Sequence, residues 1–99
     1  MVWGFNNSKV IKRDTKCVYC ESEENLTVDH VIPISLCYEY RLKIREANNY
    51  GNLVTACRRC NEEKADRKPE DFFNEHPKYR KNFIKNARYV SDRIKVVLG

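Results

Sequence analysis

Apolar and polar positions change their spacing several times along the chain, and each change marks an expected element. Residues 8–16 (Ser-Lys-Val-Ile-Lys-Arg-Asp-Thr-Lys) predict a short helix with Ser8 at its N-cap, too short to stand alone. Leu26-Thr27-Val28-Asp29-His30-Val31-Ile32-Pro33 is rich in β-branched residues and stopped by proline, which predicts a strand. Asn52-Leu53-Val54-Thr55-Ala56 predicts a second strand. Between the two, Leu36, Tyr40, Ile44 and Ala47 recur at helical spacing, so residues 34–48 predict one inserted amphipathic helix. Asn48-Asn49-Tyr50-Gly51 then predicts a turn.

Residues 61–68 have helical composition, interrupted at Pro69. Pro69-Glu70-Asp71 suits the first turn of another short helix, where proline is tolerated and acids face the positive end of the dipole. His76-Pro77 closes it, and His76 reads as an ordinary surface residue. Residues 79–98 predict a long terminal helix with Phe83, Ala87, Val90, Ile94 and Val97 as its apolar stripe. The organisation expected is an α+β body over residues 1–78 and a basic helix over 79–99, packed on the body or extending it.

A length of 99 residues bounds this to one domain whose apolar core alone gives modest stability. The charge of +5 changes the picture only locally. Residues 1–79 hold 13 Lys/Arg against 13 Asp/Glu, so the whole excess lies in residues 80–99. A basic tail attracts polyanions, nucleic acid first, without conferring sequence recognition. The opening Met-Val-Trp-Gly-Phe-Asn-Asn has no apolar leader, and no run approaches the ~18 apolar residues of a membrane span. A cytoplasmic protein is therefore expected.

Cysteine spacing changes the picture more. In a reducing compartment Cys-x-x-Cys pairs point to metal or redox chemistry and not to a disulfide framework. Cys17-x-x-Cys20 and Cys57-x-x-Cys60 supply four thiolates, enough for tetrahedral Zn²⁺. With 36 residues between the pairs, the ion would clamp the two ends of a strand-helix-strand segment. A site closed by four sulfurs is structural, not catalytic. Buried reduced thiols or a redox pair are the blander alternatives, and Cys37 is read as a small buried hydrophobe.

Such a clamp would bring the strand carrying His30 against the helix beginning beside Cys60. If Asp29 and Asn61 converge there, they offer two oxygens to a hard divalent cation such as Mg²⁺. Neighbours on a strand point to opposite faces, so Asp29 and His30 can flank one phosphate with a metal on one side and a base on the other.

At these residues the sequence resembles the HNH endonucleases, the zinc-bearing branch of the ββα-metal nucleases. The resemblance runs from Arg13-Asp14 through Cys17-Val-Tyr-Cys20, Asp29-His30-Val-Ile-Pro33 and Asn52-Leu53-Val54 to Cys57-Arg-Arg-Cys60-Asn61-Glu-Glu-Lys64. It implies a small ββα-metal fold with a structural zinc site, here with an inserted helix and a C-terminal helix. It implies that His30 is the general base, Asp29 and Asn61 the ligands of a catalytic Mg²⁺ or Mn²⁺, and Asn52 a brace for the loop that orients His30. Lys64 would lie near the scissile phosphate. The function implied is hydrolysis of DNA phosphodiester bonds, leaving 3′-hydroxyl and 5′-phosphate ends. One such site cuts one strand, so a double-strand break would take homodimerisation, a partner or two encounters; the resemblance also extends to small phage and prophage nucleases that act beside packaging or restriction machinery.

Two departures stand out. The family commonly has a short Gly-rich loop where this chain inserts residues 34–50, and Ala65 follows where glycine often stands. Asn52 after Gly51 also fits a plain turn residue, and Asp29 a partner that holds a histidine. Arg58, Arg59, Lys64, Arg67 and Lys68 read either as DNA contacts or as a solvated face, since Glu62, Glu63 and Asp66 dilute them. The competing functions are a non-catalytic zinc module binding nucleic acid or protein, and a thiol redox protein.

Overall fold

Two short antiparallel strands, β1 (Leu26–His30) and β2 (Leu53–Cys57), pair in register from Leu26 opposite Cys57 to His30 opposite Leu53. Because side chains alternate along a strand and partners share a face, Thr27, Asp29, Val54 and Ala56 point one way. Val28, His30, Leu53 and Thr55 point the other way. This computed structural model describes residues 7–98; residues 1–6, read above as lacking a leader, and Gly99 lie outside the described residues.

Helix α1 (Asn7–Asp14) covers the second of these faces. Its Val10 is buried with Leu53, flanked by Val28 and Tyr50, and the Thr55 hydroxyl donates to the Val10 carbonyl at 3.2 Å. The end of α1 and the residues after it close off β2. Thr55 N–H donates to Asp14 Oδ2 at 2.9 Å, the Arg13 guanidinium to the Leu53 carbonyl at 2.6 Å, and Val18 N–H to the Thr55 carbonyl at 3.0 Å. Backbone groups of β2 that would otherwise recruit another strand are thereby occupied.

The other face carries helix α3 (Arg58–Lys64) and the main core. Helix α3 starts directly at the end of β2 because the Cys57 thiol caps it, accepting from Cys60 N–H at 3.4 Å. That start lies three residues before the expected one, and the helix stops at Ala65, which takes a left-handed φ of 47°. Helices α4 (Pro69–Glu75) and α5 (Pro77–Asn86) each carry proline in the first turn, so Pro77 opens α5 as well as ending α4. Their Phe72, Phe73 and Phe83 enclose Tyr19, which stacks on Phe83 at 5.8 Å and meets Phe72 edge-on at 5.4 Å.

The insert is not one helix. Residues Ile34–Tyr40 form a 3₁₀ turn, Arg41 reverses the chain at φ 58°, and α2 (Ile44–Ala47) is a single turn. Cys37, Leu42 and Ala47 are buried, whereas Ile44 of the expected stripe is 52 % exposed. The reason is a tether at the neck. The Asn52 amide nitrogen donates to both Ile32 and Ala47 carbonyls, at 2.9 and 2.7 Å, so those oxygens lie within about 6 Å of each other. A helix over 15 residues would hold its ends about 22 Å apart.

The terminal helix is also shorter than expected. Helix α5 ends at Asn86, yet Phe83, Ala87, Val90, Ile94 and Val97 are all buried as the pattern required. Beyond Asn86 the chain bends back instead of extending. Ser91 N–H donates to the Gly51 carbonyl at 3.0 Å, and the backbones come so close that a Cβ on Gly51 would sit 2.9 Å from Ser91 Cβ. The basic tail is thus packed on the body. Arg93 pairs with Glu46, and Arg80 donates to the Leu98 carbonyl at 2.8 Å.

Candidate active site and metal centre

The four paired cysteines meet. Their sulfurs all lie within 4.8 Å of one another, with Cys20 and Cys57 Sγ at 3.5 Å. A tetrahedral zinc with sulfur at about 2.3 Å needs sulfur–sulfur edges near 3.8 Å, so the cluster is of the right size. The backbone has already turned toward it. Cys20 N–H donates to Cys17 Sγ and Cys60 N–H to Cys57 Sγ, each at 3.4 Å, which favours thiolate. A hydrogen bond from Cys60 pulls Cys17 down to about 5, while the same contact and burial push Cys60 upward. Burial likewise raises Cys20. Four soft donors competing for few protons form a site suited to a metal such as zinc. An ion held there would lock the knuckle at residues 17–20 onto the first turn of α3.

From that lock the second cluster follows. Asp29, His30 and Asn61 line one open pocket of about 300 Å³ together with Val28, Pro33 and Ser35. Register puts Asp29 and His30 on opposite faces of β1, and the pocket therefore wraps the edge of this strand.

Asp29, Asn61 and His30 are each held by hydrogen bonds. Asp29 is 6 % exposed, and its Oδ2 accepts from the Tyr19 hydroxyl at 2.7 Å and lies 3.2 Å from Lys64 Nζ. Burial and the Asp29 carboxylate together raise the Tyr19 phenol well above its usual range, so it stays a donor. The Asn61 amide nitrogen donates to Thr27 Oγ1 at 2.8 Å and to the Val28 carbonyl at 3.4 Å. That leaves the amide oxygen as the end of Asn61 suited to a cation. His30 is half-buried, and its Nε2 lies 3.1 Å from Asn48 Oδ1.

Asn52 is fully buried behind this pocket. Besides donating to Ile32 and Ala47, it accepts from Ile32 N–H at 2.9 Å, so its amide closes both ends of the insert.

Lys64 is turned into the protein, against Asp29 and His30. Its side chain has no solvent exposure, and Nζ donates to the His30 carbonyl at 2.8 Å while pairing with Asp29. In this position it ties α3 to β1. The other basic residues offered as DNA contacts have acidic partners. Arg58 pairs with Glu62 at 3.1 Å, Arg59 with Glu63 at 4.0 Å, Arg67 with Glu75 at 2.6 Å, and Lys68 with Glu39 at 3.6 Å. These four surface pairs balance one another in charge. His76 is half-buried and stacks on Tyr79 at 4.7 Å, a packing role.

Sequence reasoning missed Tyr19, Asn48 and Asp66, the last of which also lines the pocket. Tyr19 carried a faint signal as a large residue inside a metal knuckle. Asn48 carried none, because its partner is 18 residues away across the insert.

The sequence model of a family described as HNH endonuclease matches residues 17–67, just over half of the chain. No curated protein matches it. The matched span begins at the first zinc knuckle and ends just beyond α3, so it covers both clusters.

Proposed function

Because this chain belongs to the HNH endonuclease family, we propose that it is a metal-dependent DNA endonuclease in which His30 is the general base. The observation that carries this reading is the convergence of Asp29, His30 and Asn61 on one open pocket at the edge of β1.

In this reading Asp29 and Asn61 hold Mg²⁺ or Mn²⁺ through carboxylate and amide oxygens. Such an ion would supply charge neutralisation at the phosphate and at the departing 3′ oxygen. The donor set fits a hard cation, since both side chains offer oxygen and both are fixed by their remaining polar atoms. His30 takes a proton from the attacking water, whose oxygen bonds to phosphorus as the bond to the 3′ oxygen breaks. A 5′-phosphate and a 3′-hydroxyl result, the 3′ oxygen taking its proton from solvent. Asn52 and Lys64 are positioning residues, the first bracing the loop beside His30 and the second holding the Asp29-His30 segment against α3. Zn²⁺ on the four cysteines keeps strand and helix together.

The test is incubation of the pure protein with supercoiled plasmid, with Mg²⁺ or Mn²⁺ and with EDTA, beside His30→Ala. Metal-dependent conversion to nicked or linear DNA is expected, with a loss of about 100-fold or more in the variant. Binding without cleavage by the parent protein in every metal would instead make it a non-catalytic zinc module.

A further inference from the structure

We propose that Asn48, on the inserted segment, is the residue that sets the orientation and tautomer of His30. This rests on the reading of His30 as the base, and extends it to a residue nothing else assigns.

The root of Asn48 is fixed on both sides. Its own N–H donates to the Ile44 carbonyl at 2.8 Å, closing the single turn of α2. The carbonyl just before it, that of Ala47, accepts from the Asn52 amide at 2.7 Å. Asn52 is fully buried and is tied to Ile32 as well, two residues beyond His30. The insert and the strand bearing the histidine therefore share one rigid neck, and Asn48 projects from that neck to His30 Nε2 at 3.1 Å.

The chemistry of that contact has one sense. An amide oxygen only accepts, so Nε2 carries the proton and Nδ1 carries the lone pair. A neutral imidazole with a defined unprotonated nitrogen is what a general base needs. When Nδ1 takes the proton of water, the Nε2–H bond to Asn48 gains charge assistance, and no second proton moves. Asn48 thus acts through His30 and touches neither water nor phosphate. A loop inserted between histidine and asparagine acquires a role: it carries the group that aims the base.

The chain contains two histidines, so the imidazoles are separable by nitrogen-15 NMR of the full protein. The parent should show His30 protonated at Nε2, with a hydrogen-bonded ring proton protected from exchange. Asn48→Leu, which fills similar space without an acceptor, should lose that signal and lower kcat roughly 10- to 100-fold with KM unchanged. Asn48→Asp, which keeps an oxygen in place, should retain the signal and recover most of the rate. Zinc content and melting temperature are measured for all three. A Leu variant with the parental His30 spectrum overturns the proposal, as does an Asp variant as impaired as Leu. If the spectra change as expected while no protein cleaves DNA, Asn48 positions the ring and the nuclease reading is what fails.

Discussion

The ammonium of Lys64, without solvent exposure, lies 3.2 Å from the carboxylate of Asp29 and donates to the carbonyl of His30 at 2.8 Å. One side chain of α3 thus holds two consecutive residues of β1, the pair on which the proposed chemistry depends. Removing one partner of a buried ion pair leaves the other charge uncompensated and costs about 3–5 kcal/mol. Lys64→Met should therefore destabilise the protein by about that amount in urea denaturation. A variant as stable as the parent, but weaker in DNA affinity, would show the ammonium reaching phosphate instead.

Asn52 satisfies three backbone groups from full burial, joining Ile32 to Ala47. Asn52→Ala strands those groups, at about 1–3 kcal/mol for each one left unsatisfied. The expected outcome is a loss of roughly 3 kcal/mol and selective acceleration of amide exchange in residues 34–48. Uniform exchange across the whole chain would mean that the neck is not a separate unit.

Cys60 is a proposed metal ligand and also part of the first turn of α3. Zinc-finger peptides draw roughly 10–16 kcal/mol from their ion, far more than this core can spare. Cys60→Ser should lower bound zinc, measured by atomic absorption, and abolish a cooperative thermal transition. Retention of that transition at the parental temperature would separate the fold from the metal.

Glu46 links the insert to the tail. It accepts from Lys43 N–H at 3.0 Å and pairs with Arg93, and the Lys43 hydrogen bond above all holds its pKa below the ordinary 4.5. A depressed folded pKa means the contribution is present above 4.5 and lost as pH falls through the lower folded value. Glu46→Gln should therefore speed exchange of the Asn48 amide at neutral pH, with parent and variant converging in acid. A gap that widens on acidification would contradict this.

Local signals were readable where neighbours along the chain decide the outcome. The β-branched run before Pro33, the proline at the start of α4 and the two Cys-x-x-Cys knuckles all appear where the sequence places them. The apolar stripe from Phe83 to Val97 named the right buried residues, although the helix expected to carry them stops at Asn86. Burial follows from side-chain chemistry and period. Helix length there depends on a contact with Gly51, 40 residues upstream, which no local pattern contains.

The chain's own order of residues determined which groups are available: four thiols in two pairs, a carboxylate beside an imidazole, and an amide one residue past a paired cysteine. Tertiary structure decided which of them face a pocket and which face one another. Lys64 is an internal tether in three dimensions, because Asp29 lies on the face of the sheet that α3 covers. The insert is folded on itself because one buried amide bonds both of its ends, and that distance constraint outweighs helical periodicity.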